Sequence, residues 1–178
     1  MKRNIVLLFL VLVAVTFASG CTFDTGNQVY NSNNVTFNYP SGWDKLSTDQ
    51  VSIGTADAAP VIAAVADGDS IQNNVYKTLV VVQKTPTDLT LSTVVSETKT
   101  SLTAQGVEIV SERNLTVSGV PATEIVYTIT VSGESKKERM VILVKDNVAY
   151  SIVCSTTVAD YSSQQSNFDL IINSFQIK

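Results

Sequence analysis

Few residues of this 178-residue chain are of types that do chemistry, and most have a plainer reading. Asp67 and Asp69, in Asp67-Gly68-Asp69-Ser70, and Asp57 upstream are oxygen donors of the kind Ca²⁺ takes. The run lacks the further ligands and the closing Glu of an EF-hand loop, so a turn between strands explains it better. Cys21 and Cys154 are the two thiols. Cys154 continues the one-face series Val148, Tyr150, Ile152, with no histidine or basic pair beside it in sequence, which reads as a buried structural thiol. Asn34-Val35-Thr36 and Asn114-Leu115-Thr116 are N-glycosylation sequons. They are open to glycan in an exported archaeal protein, although such tripeptides also arise by chance in an Asn/Thr-rich chain. Tyr30, Tyr39, Trp43, Tyr76, Tyr127, Tyr150 and Tyr161 are the right types to line a ligand cleft. Tyr127 and Tyr150 sit in apolar alternation, which favours packing.

The chain has no histidine. Ser-His-Asp and Cys-His catalysis and His-based zinc or copper sites are therefore excluded. G-x-S-x-G and a glycine-rich phosphate loop are also missing, and the scattered acids nominate no glycosidase pair. The expectation is a non-enzyme with no catalytic residue, no metal and no cofactor.

The first residues decide where the rest works. Lys2 and Arg3 precede an almost unbroken apolar run over residues 5–17, closed by Ala18-Ser19-Gly20-Cys21. That is the layout of a secretory signal peptide. As a helix the run spans about 20 Å against a hydrocarbon core of about 30 Å, which favours a cleaved leader over a membrane span. The small residues before the cysteine resemble the lipobox of bacterial and archaeal lipoproteins, with Ala18 where Leu is usual. The resemblance implies lipidation at Cys21 and attachment to the membrane through that lipid. Ordinary signal peptidase cleavage after Ala18 or Gly20, releasing a soluble protein, is the competing route; it would leave Cys21 free for a disulfide with Cys154. Losing Lys2 and Arg3 with the leader leaves ten basic residues against 16 acids, a net charge near −6. The one basic cluster, Lys136-Lys137-Arg139, is interrupted by Glu134 and Glu138 and reads as a solvated strand face. Nucleic acid is not an expected partner.

The elements follow in order. Residues 1–20 are the leader, residues 21–34 a polar, Asn-rich tether, and residues 35–178 one domain. Val35-Thr36-Phe37-Asn38-Tyr39 alternates as a strand ended by Pro40, and Val51 and Ile53 suggest a second. Pro60 to Ala66 is a small apolar run, and Leu79 to Val82 a continuous one, implying cover on both faces of a sheet. Leu91, Val94, Val95, Thr98 and Leu102 share one helical face, capped by Asp88 or Thr90 and stopped by Gly106. Val107–Val110 and Leu115–Val117 lead to a Ser118-Gly119 turn. A three-strand antiparallel meander follows over Ile125–Val131, Arg139–Lys145 and Val148–Cys154. Thr157 and Asp160 have the form of a capping box before a helix with Tyr161, Gln165, Phe168 and Ile172 on one face. An edge strand over Ser174–Ile177 closes an α+β fold, helices on a mostly antiparallel sheet.

Three stretches carry a resemblance: Phe37-Asn38-Tyr39-Pro40-Ser41-Gly42-Trp43, Gly119-Val120-Pro121-Ala122 and Phe168-Asp169-Leu170-Ile171-Ile172-Asn173-Ser174-Phe175. In that order the chain resembles the PsbP family over residues 35–177. The resemblance implies an α/β/α sandwich around an antiparallel sheet. Family members include extrinsic photosystem subunits that help retain inorganic cofactors, and a relative of the fold binds the GTPase Ran. Cofactor retention there involves histidines, which this chain lacks, so no metal-binding residue carries over. What it implies here is a non-enzymatic binding or assembly lipoprotein of the cell envelope, on the extracytoplasmic side of a membrane, with an unidentified protein partner. The alternative is a small-ligand or ion carrier.

Overall fold

In the computed structural model, which describes residues 26–49, 51, 59–72, 75–131 and 133–178, the chain opens on a hairpin of β1 (Gln28–Ser32) and β2 (Val35–Tyr39). Asn33 and Asn34 form its two-residue turn, both at positive φ, a conformation asparagine tolerates better than most residues. This corrects the expected boundary at residue 34. β1 belongs to the domain, because Tyr30 is buried and stacks on Phe37 with ring centroids 4.8 Å apart. A single aromatic in a polar run gave no period-2 pattern to read. The expected leader over residues 1–20, and residues 21–25 of the expected tether, lie outside the described residues.

Pro40 accepts from the Trp43 N–H across a turn where Gly42 sits at φ +85°, and β3 (Trp43–Lys45) follows. The expected strand at Val51 and Ile53 is not formed at Val51, which is buried outside any strand; Ile53 lies outside the described residues. β4 (Val61–Asp67) continues into a 3-10 turn at Gly68–Ser70 and a small pair, β5 (Ile71–Gln72) with β6 (Val75–Tyr76). β7 (Leu79–Pro86) leads to α1 (Leu91–Ala104), whose N-cap is Thr90, its hydroxyl accepting from the Thr93 N–H. Val94, Val95, Thr98 and Leu102 form its buried face, as the spacing predicts.

β8 (Glu108–Val117) is one strand rather than two runs, with a register irregularity between Ile109 and Ser111. The meander is β9 (Val120–Val131), β10 (Glu134–Lys145) and β11 (Val148–Thr157), paired as expected. Thr157 Oγ1 accepts from the Asp160 N–H and donates to its carboxylate, which is only half of the expected capping box, since the N-cap of α2 (Tyr161–Ser174) is Asp160 itself and its side chain makes no cap bond. Gln165 is exposed, and α2 buries Phe168, Ile171 and Ile172. β12 (Gln176–Ile177) ends the chain against β2.

Seven strands form one antiparallel sheet in the order β3-β4-β7-β11-β10-β9-β8, and β1-β2-β12 form a second, smaller one. α1 covers one face of the large sheet, over Leu79, Val81, Ile125, Met140 and Val153. α2 and the small sheet cover the other, over Val80, Val82, Val141, Leu143 and Ile152. Neighbours in sequence thus serve opposite cores, and the central strands read as continuously apolar for that reason.

Candidate functional site

An open groove of about 730 Å³ lies between α1 and the β8–β9 edge. Helical spacing puts Ser92, Ser96 and Thr100 along its rim, and Asn114 and Thr123 come from paired positions on β8 and β9. Lys99 reaches across it to Glu112, Nζ–Oε2 2.5 Å. The groove offers hydrogen bonds and one exposed ion pair.

Charge is concentrated instead on the opposite face of the sheet. Arg139 on β10 and Glu124 on β9 are each 5 % exposed and joined Nε–Oε2 at 2.5 Å. Arg139 Nη1 also meets Asp169 of α2 at 2.6 Å, and Arg113 of β8 grips Glu124 through Nε and Nη2. Burial, the largest single influence on Arg139, acts to depress its pKa; Asp169 and Glu124 together outweigh it, and the guanidinium is held more firmly protonated. On the α1 face, the Tyr127 hydroxyl donates to Glu138 Oε2 at 2.6 Å, with both residues buried. Burial raises the Glu138 pKa, against hydrogen bonds from Tyr127 and Ser155. Burial, then the Glu138 charge, raises that of Tyr127.

These placements overturn the reading of residues 134–139 as a solvated face. Both faces of β10 are covered, so Glu138 and Arg139 are enclosed, while Lys77 and Lys136 pair with Glu134 near the surface. The available signal was the interruption of apolar alternation at Glu124 and at Glu138-Arg139. Only the strand register shows that Glu124 and Arg139 point the same way, toward α2.

The other candidates fall in separate places. Asp67 Oδ1 accepts from the Asp69 N–H and Oδ2 from the Gln164 amide, so its carboxylate braces the turn; Asp57 lies outside the described residues. Among the described residues no group of three His, Cys, Asp or Glu is placed to hold a metal. Cys154 is fully buried, opposite Arg139 in register, and burial raises its thiol pKa. Asn34 is exposed at the hairpin tip, and Thr36 of its sequon donates to the Tyr30 carbonyl. Asn114 is exposed on β8, its Oδ1 accepting from Thr123. Cys21 lies outside the described residues. The aromatics do not converge on a cleft: Tyr30, Tyr39 and Trp43 pack with Phe37, Phe168 and Phe175, while Tyr76 and Tyr127 belong to the α1-side core.

The core on the α2 side also joins the three stretches that carry the resemblance. Phe37 meets Phe175 at 6.2 Å, Trp43 meets Phe168 edge-on at 6.5 Å, and the Asn38 N–H donates to Ser174. Ala122 is buried in the same cluster, and Ser118 beside it accepts from the Ile177 N–H.

A large antiparallel sheet with one helix on one face and a helix plus small sheet on the other defines an α+β sandwich. The chain belongs to the PsbP-like protein family, whose model matches residues 19–177. Among solved structures, cyanobacterial PsbP (CyanoP) of Synechocystis sp. PCC 6803 is similar, with a TM-score of 0.60 and 15% identity over 91% of this chain and 98% of that one. LpqN, involved in cell envelope biogenesis of Mycobacterium tuberculosis, matches with a TM-score of 0.61 and 11% identity, covering 86% of this chain and 91% of its own. The Ran-binding protein Mog1p of Saccharomyces cerevisiae matches at 0.55 and 12% identity, covering 86% and 96%. At these identities the likeness is one of fold. No curated protein matches the chain.

Proposed function

We propose that this is a lipid-anchored PsbP-like protein, fastened through Cys21 to the extracytoplasmic side of a membrane, that works there by docking a protein partner rather than by catalysis. The observation that carries the reading is the short link between the cysteine and the fold. β1 starts at Gln28, so six residues separate it from Cys21. Fully extended, that link reaches only about 20–25 Å. A domain held so close meets what lies on the membrane surface. Two acyl chains, each methylene contributing roughly 0.8 kcal/mol, would keep it there. The Ran-binding activity in the name of Mog1p and the envelope role in that of LpqN are in keeping with a docking module. The buried charges Glu124 and Arg139 are paired with one another inside the described domain, which also favours docking over chemistry.

Cys21→Ser tests the anchor: the protein should move from the membrane to the soluble fraction, and unchanged retention would argue against lipidation. Crosslinking of the anchored protein in its native membrane should then yield one recurrent protein partner, lost in Cys21→Ser. The groove beside α1 favours a second reading, a carrier of a small polar ligand. A thermal-shift screen with Ca²⁺ and small metabolites decides that one, and flat responses throughout would count against it.

A further inference from the structure

We propose that Gln83, Thr85 and Ser151 form a binding site for one internal water molecule beneath α1. Among the described residues, Gln83 Oε1, Thr85 Oγ1 and Ser151 Oγ are buried without a hydrogen-bond partner. They are neighbours by register: Gln83 of β7 lies opposite Ser151 of β11, and Thr85 lies opposite Ala149, so all three face α1. Between them is a small cavity of about 10 Å³, walled by Ala59, Val94 and Ile142.

Three features point to water. The volume is about that of one water-sized sphere, and a buried water needs two to four polar partners, which this site supplies. The donors and acceptors are complementary. Gln83 Nε2 donates to the Ala59 carbonyl at 2.7 Å, which fixes the amide and leaves Oε1 as the unpaired acceptor of a residue that lines the cavity. The two hydroxyls each donate and accept, so a water can give a hydrogen to Gln83 and receive one from Ser151 or Thr85. A cation is disfavoured, since Ca²⁺ takes six to eight oxygen ligands and these three are neutral. Buried oxygens left unpaired at the centre of a sheet would each forfeit a hydrogen bond they have in water. One bridging molecule relieves all three and links the start of β4, through Gln83, to the central strands.

Oxygen-17 magnetic relaxation dispersion on the wild type and on Ser151→Val tests this, because the valine methyls fill the cavity. The variant should lose the amplitude of one long-lived water; equal amplitudes would overturn the proposal. Should Ser151→Val not fold, Thr85→Val keeps the side-chain shape while removing a hydroxyl. A hydrated site predicts a melting temperature at or below that of the wild type, and a rise refutes it. A high-resolution crystal structure of the wild type with no density between these oxygens refutes it independently.

Discussion

Replacing Glu124 by leucine and Arg139 by methionine, singly and together, separates what the buried ion cluster is worth from what it costs to break. Removing one partner of a buried pair costs about 3–5 kcal/mol, because a charge is left enclosed without its counterion. In Glu124→Leu, Arg139 keeps only Asp169, whose side chain is 51% exposed, so a loss near 3 kcal/mol is expected. In Arg139→Met, Glu124 keeps both contacts from Arg113, at 2.6 and 3.0 Å, and the loss should be nearer 2 kcal/mol, about one charged hydrogen bond. The double variant puts apolar side chains of similar volume between β9, β10 and α2, and should lie within about 1 kcal/mol of the wild type. The coupling between the two sites is then roughly 4 kcal/mol, since the single losses would sum to about 5. Urea denaturation reads it directly. Trp43, the only tryptophan, is buried edge-on to Phe168 of α2 and supplies the fluorescence signal. Melting temperatures should fall by about 6–12 °C in Glu124→Leu and hardly at all in the double variant. A double variant as unstable as the sum of the singles would refute the reasoning.

Glu138 binds its proton more tightly in the folded state, because burial raises its pKa. Its contribution is fully present below the unfolded value, about pH 4, and is lost as pH rises through the raised native value. Relative to the wild type, Glu138→Gln should therefore gain stability as pH rises over that range, and parallel denaturation curves against pH would contradict this. A chain beginning at Gly26 should fold as the full domain does, whereas one beginning at Val35 loses Tyr30 from its stack on Phe37. Tyr30→Ala alone should cost about 3 kcal/mol in urea. Gly68→Ala would set a Cβ 2.9 Å from the Gly42 carbonyl oxygen, an overpacking loss of about 1–3 kcal/mol visible in the melting temperature. Cys154 should resist maleimide in the native protein and react in urea, since its thiol is buried with a raised pKa; rapid native labelling would contradict the packing.

The amphipathic helix α1 and the meander were legible because their side chains obey one period over many residues. The Thr157–Asp160 contacts and the strand before Pro40 were legible from local chemistry alone. β1 was not, since four of its five residues gave no pattern and its place depends on Phe37 and the Ile62 carbonyl, which accepts from the Tyr30 hydroxyl. The enclosed charges were misread for a related cause. Glu138 and Arg139 look solvated in a strand of alternating type, and only the depth of cover on both sheet faces makes them interior. The groove and the oxygens of Gln83, Thr85 and Ser151 depend on how α1 lies across the sheet, which no linear spacing encodes.

β8 ends the large sheet, ten residues long and mostly exposed. A ribbon of unsatisfied amides of that length is a template on which neighbouring molecules can zip together. The irregularity at Val110 puts the backbone out of step near the start of the strand, and Glu108, Glu112 and Arg113 set charged side chains along it. The same ten residues that leave one flank bare thus also carry a bulge and three charges, the features by which an open sheet edge resists pairing with a copy of itself.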